Sequence, residues 1–97
     1  MLFTVNKSPF LFGNLDSCLQ YAIKDTPILL LEDGVFAASK GTSYEQKLKE
    51  SMGKFDIYAL EPDLKARGID GVIDGIKVID YPGFVELVEK HNVASWL

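Results

Sequence analysis

At 97 residues the chain has the length of a single domain (residues 1–97), near the smallest size at which a parallel sheet is covered on both faces. Ten Lys and Arg scattered among fourteen Asp and Glu give a net charge of −4, which argues against direct nucleic-acid binding, since that needs clustered cations. Hydrophobic residues make up 47% and the mean hydropathy is +0.09, which is apolar for so small a domain and predicts surface that another chain covers.

Strand-like and helix-like segments alternate, the pattern of a parallel sheet with helical crossovers. Leu2 to Val5 reads as the first strand, followed by a loop over Asn6-Lys7-Ser8-Pro9. A helix is expected from about Leu15 to Lys24, capped by Asn14 or Asp16, with Leu15, Leu19, Ala22 and Ile23 on its buried face. Ile28 to Leu31 is wholly apolar, as a central strand buried on both faces would be, and ends at Glu32-Asp33-Gly34. A short helical turn over Val35 to Ser39 leads to a helix starting at Thr42, where Thr42 and Glu45 have capping-box spacing. Its stripe is Tyr44, Leu48 and Met52, and Gly53 ends it.

Phe55 to Leu60 reads as the third strand. Pro62 opens a short helix that Lys65 and Arg67 finish and Gly68 closes. After a loop from Ile69 to Gly75 comes a fourth strand, Ile76 to Ile79, and Pro82 starts a last helix with Phe84, Leu87, Val88 and His91 on its apolar face. The tail Val93 to Leu97 is apolar where polar residues are usual. The opening Met1-Leu-Phe-Thr-Val lacks a basic leader or a long apolar run, so neither signal peptide nor membrane span is expected, and a cytoplasmic location is.

Ligands of open parallel sheets lie beyond the carboxyl ends of the strands. The loop after the first strand has no glycine, and neither G-x-G-x-x-G nor G-x-x-x-x-G-K occurs, so no nucleotide or flavin cofactor is expected. Gly68, Gly71 and Gly75 precede a strand and read as turn residues. One His and one Cys far apart cannot build a zinc site, and no metal is expected. His91 reads as structural, near a helix C-terminus. Glu32-Asp33 could act as an acid–base pair, but loop capping suits them better because no Lys or His stands near in sequence. There is no nucleophile elbow.

Covalent chemistry would therefore run through Cys18, the single cysteine, which also fits a reducing compartment. Two readings stay open. Cys18 borders the Leu15–Leu19–Ala22 stripe and would pack there as a small hydrophobe. Near a helix N-terminus its thiolate would also be favoured, although Asp16 opposes this and no cation is adjacent.

Several segments together resemble the DsrH/TusB family of sulfur-relay proteins: Leu2 to Phe10, the Leu-Leu-Glu-Asp-Gly-Val stretch ending at Val35, Asp63 to Gly68, Ile79 to Val85, and Ser95-Trp96-Leu97. The resemblance implies an α/β fold, a small Rossmann-like (DsrE/DsrF/DsrH-like) parallel sheet with helices on both faces. It implies a place in a heterohexamer with DsrE/TusD-like and DsrF/TusC-like subunits that holds sulfur as a cysteine persulfide. The sulfur would pass to a DsrC/TusE-like carrier, in sulfur oxidation for the DsrH branch or towards tRNA wobble uridine 2-thiolation for the TusB branch. Leu15-Asp-Ser-Cys-Leu19 is similar to the DsrH form, which carries a cysteine here, and so favours sulfur oxidation with Cys18 as candidate persulfide-forming thiol. The main persulfide carrier of the family is on a partner chain, which leaves open a non-catalytic role for this subunit.

Overall fold

The structure, a computed structural model, describes residues 1–96. Five strands and four α-helices alternate: β1 (Leu2–Val5), α1 (Asn14–Tyr21), β2 (Pro27–Leu30), a 3-10 segment (Glu32–Ala38), α2 (Glu45–Ser51), β3 (Asp56–Leu60), α3 (Glu61–Ala66), β4 (Lys77–Ile79), α4 (Tyr81–Lys90) and β5 (Val93–Trp96). The strands of the sheet all pair in parallel, in the order β4-β3-β2-β1-β5. The expected α/β parallel sheet is thus present, and the apolar Ile28–Leu30 run lies at its centre.

Side-chain alternation divides the core in two. Phe3, Val5, Ile28, Leu30, Ile57 and Ala59 point to one face, where they join Leu15 and Cys18 of α1, Leu48 of α2 and Leu64 of α3 in a single buried cluster. Leu2, Thr4, Leu29 and Leu60 are buried outside that cluster, on the other face. Right-handed crossovers explain the division. The chain steps in one direction from β1 to β4, which puts α1, α2 and α3 on the first face, then reverses through α4 to reach β5 and so covers the second.

α4 covers its face only partly. Asp80 caps it by accepting a hydrogen bond from the Gly83 N–H (2.9 Å). Phe84, Leu87 and His91 are half-buried, but no residue of the helix is fully buried. Val88, expected on the packed side, is exposed together with Tyr81 and Val85.

Other local expectations shift by a few residues for identifiable reasons. α1 has Gly13 at its N-cap and no side-chain cap, because Asp16 is engaged with α2 and not with its own backbone. The Thr42–Glu45 box slides back by one: Thr42 Oγ1 accepts from the Tyr44 N–H and Glu45 Oε1 from the Gly41 N–H, so α2 begins at Glu45. Gly68 (φ +68°) and Gly75 (φ +99°) occupy left-handed turns, as read from the sequence. Gly34 has a different reason to be glycine. A Cβ there would collide with the Val5 carbonyl oxygen, because the 3-10 segment passes directly over the end of β1.

The tail from Val93 is the largest departure. It forms β5, pairing with β1 from Leu2 opposite Val93 to Val5 opposite Trp96. Trp96 packs edge-on against Phe3 and Tyr21, with ring centroids 5.8 and 5.7 Å away. Leu97 lies outside the described residues.

Candidate functional site

The one candidate nucleophile is enclosed. Cys18 sits on the inner side of α1 at 0% exposure, inside the cluster that joins the helix to β1 and β2. Burial pushes its thiol up to about 12, so the thiolate is scarce at neutral pH. The helix N-terminus does not offset this, for Cys18 is the fifth residue of α1 and its own carbonyl already accepts from the Ala22 N–H. In this arrangement the sulfur is enclosed and its thiolate form disfavoured.

The loops beyond the carboxyl ends of β2 and β3 hold charged groups, several of which are paired with one another. Glu32 takes a left-handed backbone conformation (φ +49°), and its N–H donates to Asp63 Oδ2 at 2.6 Å. Arg67 donates through Nε to Asp33 Oδ1 at 2.9 Å and through a terminal nitrogen to the Asp63 carbonyl. Glu32-Asp33 therefore fastens the 3-10 segment to α3, through the Glu32 N–H and an Asp33–Arg67 ion pair and not by the side-chain loop capping expected from sequence. The cation missing from their sequence neighbourhood is Arg67, thirty-four residues on.

A second network braces the loop after β1. The Tyr44 hydroxyl lies within hydrogen-bonding distance of the Pro9 carbonyl (3.0 Å) and Asp16 Oδ2 (3.1 Å), while Lys47 Nζ donates to Asp16 Oδ1 at 2.6 Å. The Lys47 hydrogen bond holds the Asp16 carboxyl below its ordinary range, and burial beside that carboxylate raises the Tyr44 phenol. Ser8 completes the brace: its carbonyl accepts from the N–H groups of Leu11 and Phe12. The result is a fixed loop that presents Phe10, Leu11 and Phe12 to solvent at 50%, 78% and 51% exposure. Three consecutive exposed large apolar residues on a rigid support form a contact surface.

His91 is half-buried at the C-cap of α4, where its N–H donates to the Leu87 carbonyl. Among the described residues, no three His, Cys, Asp or Glu side chains come together as a metal site, and no helix is long and apolar enough to cross a membrane. An open groove of about 680 Å³ between α1 and α2 is lined by Leu19, Lys24, Lys47 and Lys54 among others; Cys18 is not part of its wall. Among the described residues, apolar surface faces outward at the Phe10–Phe12 loop and on the Tyr81–Val85–Val88 side of α4, as well as at Tyr21, Ile23 and Val93.

Residues 7–94 match the family model described as DsrH like protein. Protein TusB of Shigella flexneri is 40% identical over 93 residues, covering 95% of both chains. Protein TusB of Escherichia coli K12 is 41% identical over 92 residues, 94% of both. Among solved structures, a protein of unknown function from Methanobacterium thermoautotrophicum, MTH1491, superposes with a TM-score of 0.71 over 97% of this chain and 96% of that one. Its 17% identity speaks for a common fold only.

Proposed function

The chain belongs to the DsrH family, and from that premise we propose that it is a non-catalytic subunit of a cytoplasmic sulfur-relay complex of the TusB kind, which supplies sulfur for 2-thiolation of the tRNA wobble uridine. Its partners on this reading are TusD-like and TusC-like subunits in a heterohexamer, with a TusE-like carrier receiving the sulfur. The observation that carries the non-catalytic assignment is the enclosure of Cys18. A relay station must expose a thiolate to a donor persulfide, and this sulfur is protonated and covered. The sulfur-oxidation branch rested on the likeness of Leu15-Asp-Ser-Cys-Leu19 to the DsrH form; likeness to TusB proteins over nearly the whole chain supports the tRNA branch instead.

The subunit then contributes surface. Phe10–Phe12 and the open side of α4 are apolar patches of the kind that partner chains cover in stable assemblies. The test is a strain lacking this chain, complemented with wild type, Cys18→Ala, or Phe10→Ser with Phe12→Ser. Mass spectrometry of digested tRNA reads the 2-thiouridine content. Cys18→Ala should restore thiolation, and the loop variant should fail to. Loss of thiolation with folded Cys18→Ala protein would return the sulfur-carrying role to Cys18, and normal thiolation in the strain lacking the chain would refute the pathway.

A further inference from the structure

The two edges of the sheet are treated differently by the sequence. β4 carries Lys77 within its three residues, paired to Asp56 at 3.5 Å, and lies between Asp74-Gly75 and Asp80. Charges of this kind are how natural sheets keep foreign strands from adding to an edge. β5 reads Val-Ala-Ser-Trp, with no charge and no proline, and its pairing to β1 runs without a bulge from Leu2–Val93 to Val5–Trp96. Among the described residues, no strand lies on its outer side.

The register fixes which groups face outward. The Leu2 N–H donates to the Asn92 carbonyl at 2.7 Å, and Leu2 is opposite Val93. In a parallel ladder this turns the polar backbone of Asn92, Ala94 and Trp96 towards β1 and that of Val93 and Ser95 away from the sheet. We propose that β5 pairs antiparallel with β5 of a second copy of this chain, about a two-fold axis through Ala94. Val93 then meets Ser95 of the other copy and exchanges both backbone hydrogen bonds with it, and the symmetric pair does the same.

Ala94 faces its own counterpart in a non-hydrogen-bonded pair, where strands approach to about 4.5 Å between Cα atoms and small side chains fit. The flanks suit the pairing. Tyr21 is packed on Trp96 at 73% exposure, Val93 is 44% exposed, and Met1 next to the edge is 61% exposed. A second copy is the occupant for which the edge is self-complementary: one strand supplies both halves of the ladder at a single register. The strand has only four residues, so the chain alone should form a weak dimer that further subunits reinforce.

Cross-linking reads the register. In the full chain carrying Cys18→Ala, Ala94→Cys should give a disulfide-linked dimer on mild copper-phenanthroline oxidation, because the paired Cα atoms fall within disulfide reach. Val93→Cys should not, because its counterpart is two residues off register and beyond about 7 Å. Val93→Pro removes only an outward N–H, so it should stay folded by circular dichroism and sediment as a monomer at concentrations where wild type shows dimer. Failure of Ala94→Cys to cross-link, equal cross-linking at both positions, or a wild-type chain that stays monomeric would each overturn the proposal. If Ala94→Cys does not fold, the sedimentation of Val93→Pro against wild type decides the matter. The outcome is separate from the pathway: tRNA thiolation can persist without this pairing, and the pairing can form without thiolation.

Discussion

If Cys18 is a packing residue, replacing it with alanine should reverse the order of stability between neutral and alkaline pH. At neutral pH the substitution removes one sulfur from a closed cluster, which costs about 1 kcal/mol. In alkali the sign changes. The thiol titrates near 9.0 when the chain is unfolded and only near 12 when it is folded, so in that window the unfolded chain has shed a proton that the folded protein still holds. Stability contributed below pH 9 is lost as pH rises towards 12, at about 1.4 kcal/mol per pH unit. By pH 10.5 the wild type should have lost roughly 2 kcal/mol that the alanine variant keeps, and the two should cross near pH 10. Other titrating groups are common to both proteins and cancel in the difference. Urea unfolding followed by Trp96 fluorescence at pH 7.5 and 10.5 measures it. An unchanged gap between the two proteins at both pH values would mean that the sulfur is not enclosed, and rapid stoichiometric labelling of the native thiol at pH 7.5 would mean the same.

Gly34→Ala should cost at least about 3 kcal/mol, seen as a large fall in melting temperature, because its Cβ meets the Val5 carbonyl and neither backbone can yield. Tyr44→Phe should cost about 1 kcal/mol and speed amide exchange at Leu11 and Phe12, whose loop loses its tie to α2. Asp16 should favour folding at neutral pH and lose that contribution as pH falls through its depressed pKa, so Asp16→Asn should narrow its stability deficit against wild type in acid. Asp63→Ala should destabilise by about 1 kcal/mol, since the Glu32 N–H loses its acceptor and Arg67 one of its carboxylates; thermal unfolding would detect it.

Local signals located most of the fold. The unbroken apolar run of β2, the glycines at 68 and 75 and the proline near the start of α3 and of α4 each act within a few residues, so their effects were readable in chain order. β5 was not readable as a strand, because four residues after a helix have no period long enough to distinguish a strand from a tail. What makes it a strand is the edge of β1, about ninety residues away in the chain. The candidate site divides in the same manner. Cys18 could be placed next to a core stripe, but the side of the stripe it falls on depends on how α1 is turned against β1 and β2. The Tyr44–Asp16–Lys47 and Asp33–Arg67–Asp63 groupings join residues about thirty apart, and no spacing rule in a single sequence connects them. The exposed run at Phe10–Phe12 had a visible signal, three apolar residues within a loop, whose meaning depended on the brace beneath it.

The pairing of β5 with β1 also sets an order of events during synthesis. β1 leaves the ribosome first, and β2 can cover one of its edges as soon as α1 has formed. The other edge must wait for residues 93–96, when nearly all of the preceding chain has been made. At translation rates of about 5–20 residues per second, that leaves an apolar strand edge open for several seconds, the interval in which chaperones or a neighbouring nascent chain compete for it. Mutations that weaken Trp96 or Phe3 should therefore reduce the yield of folded protein more than the stability of what does fold.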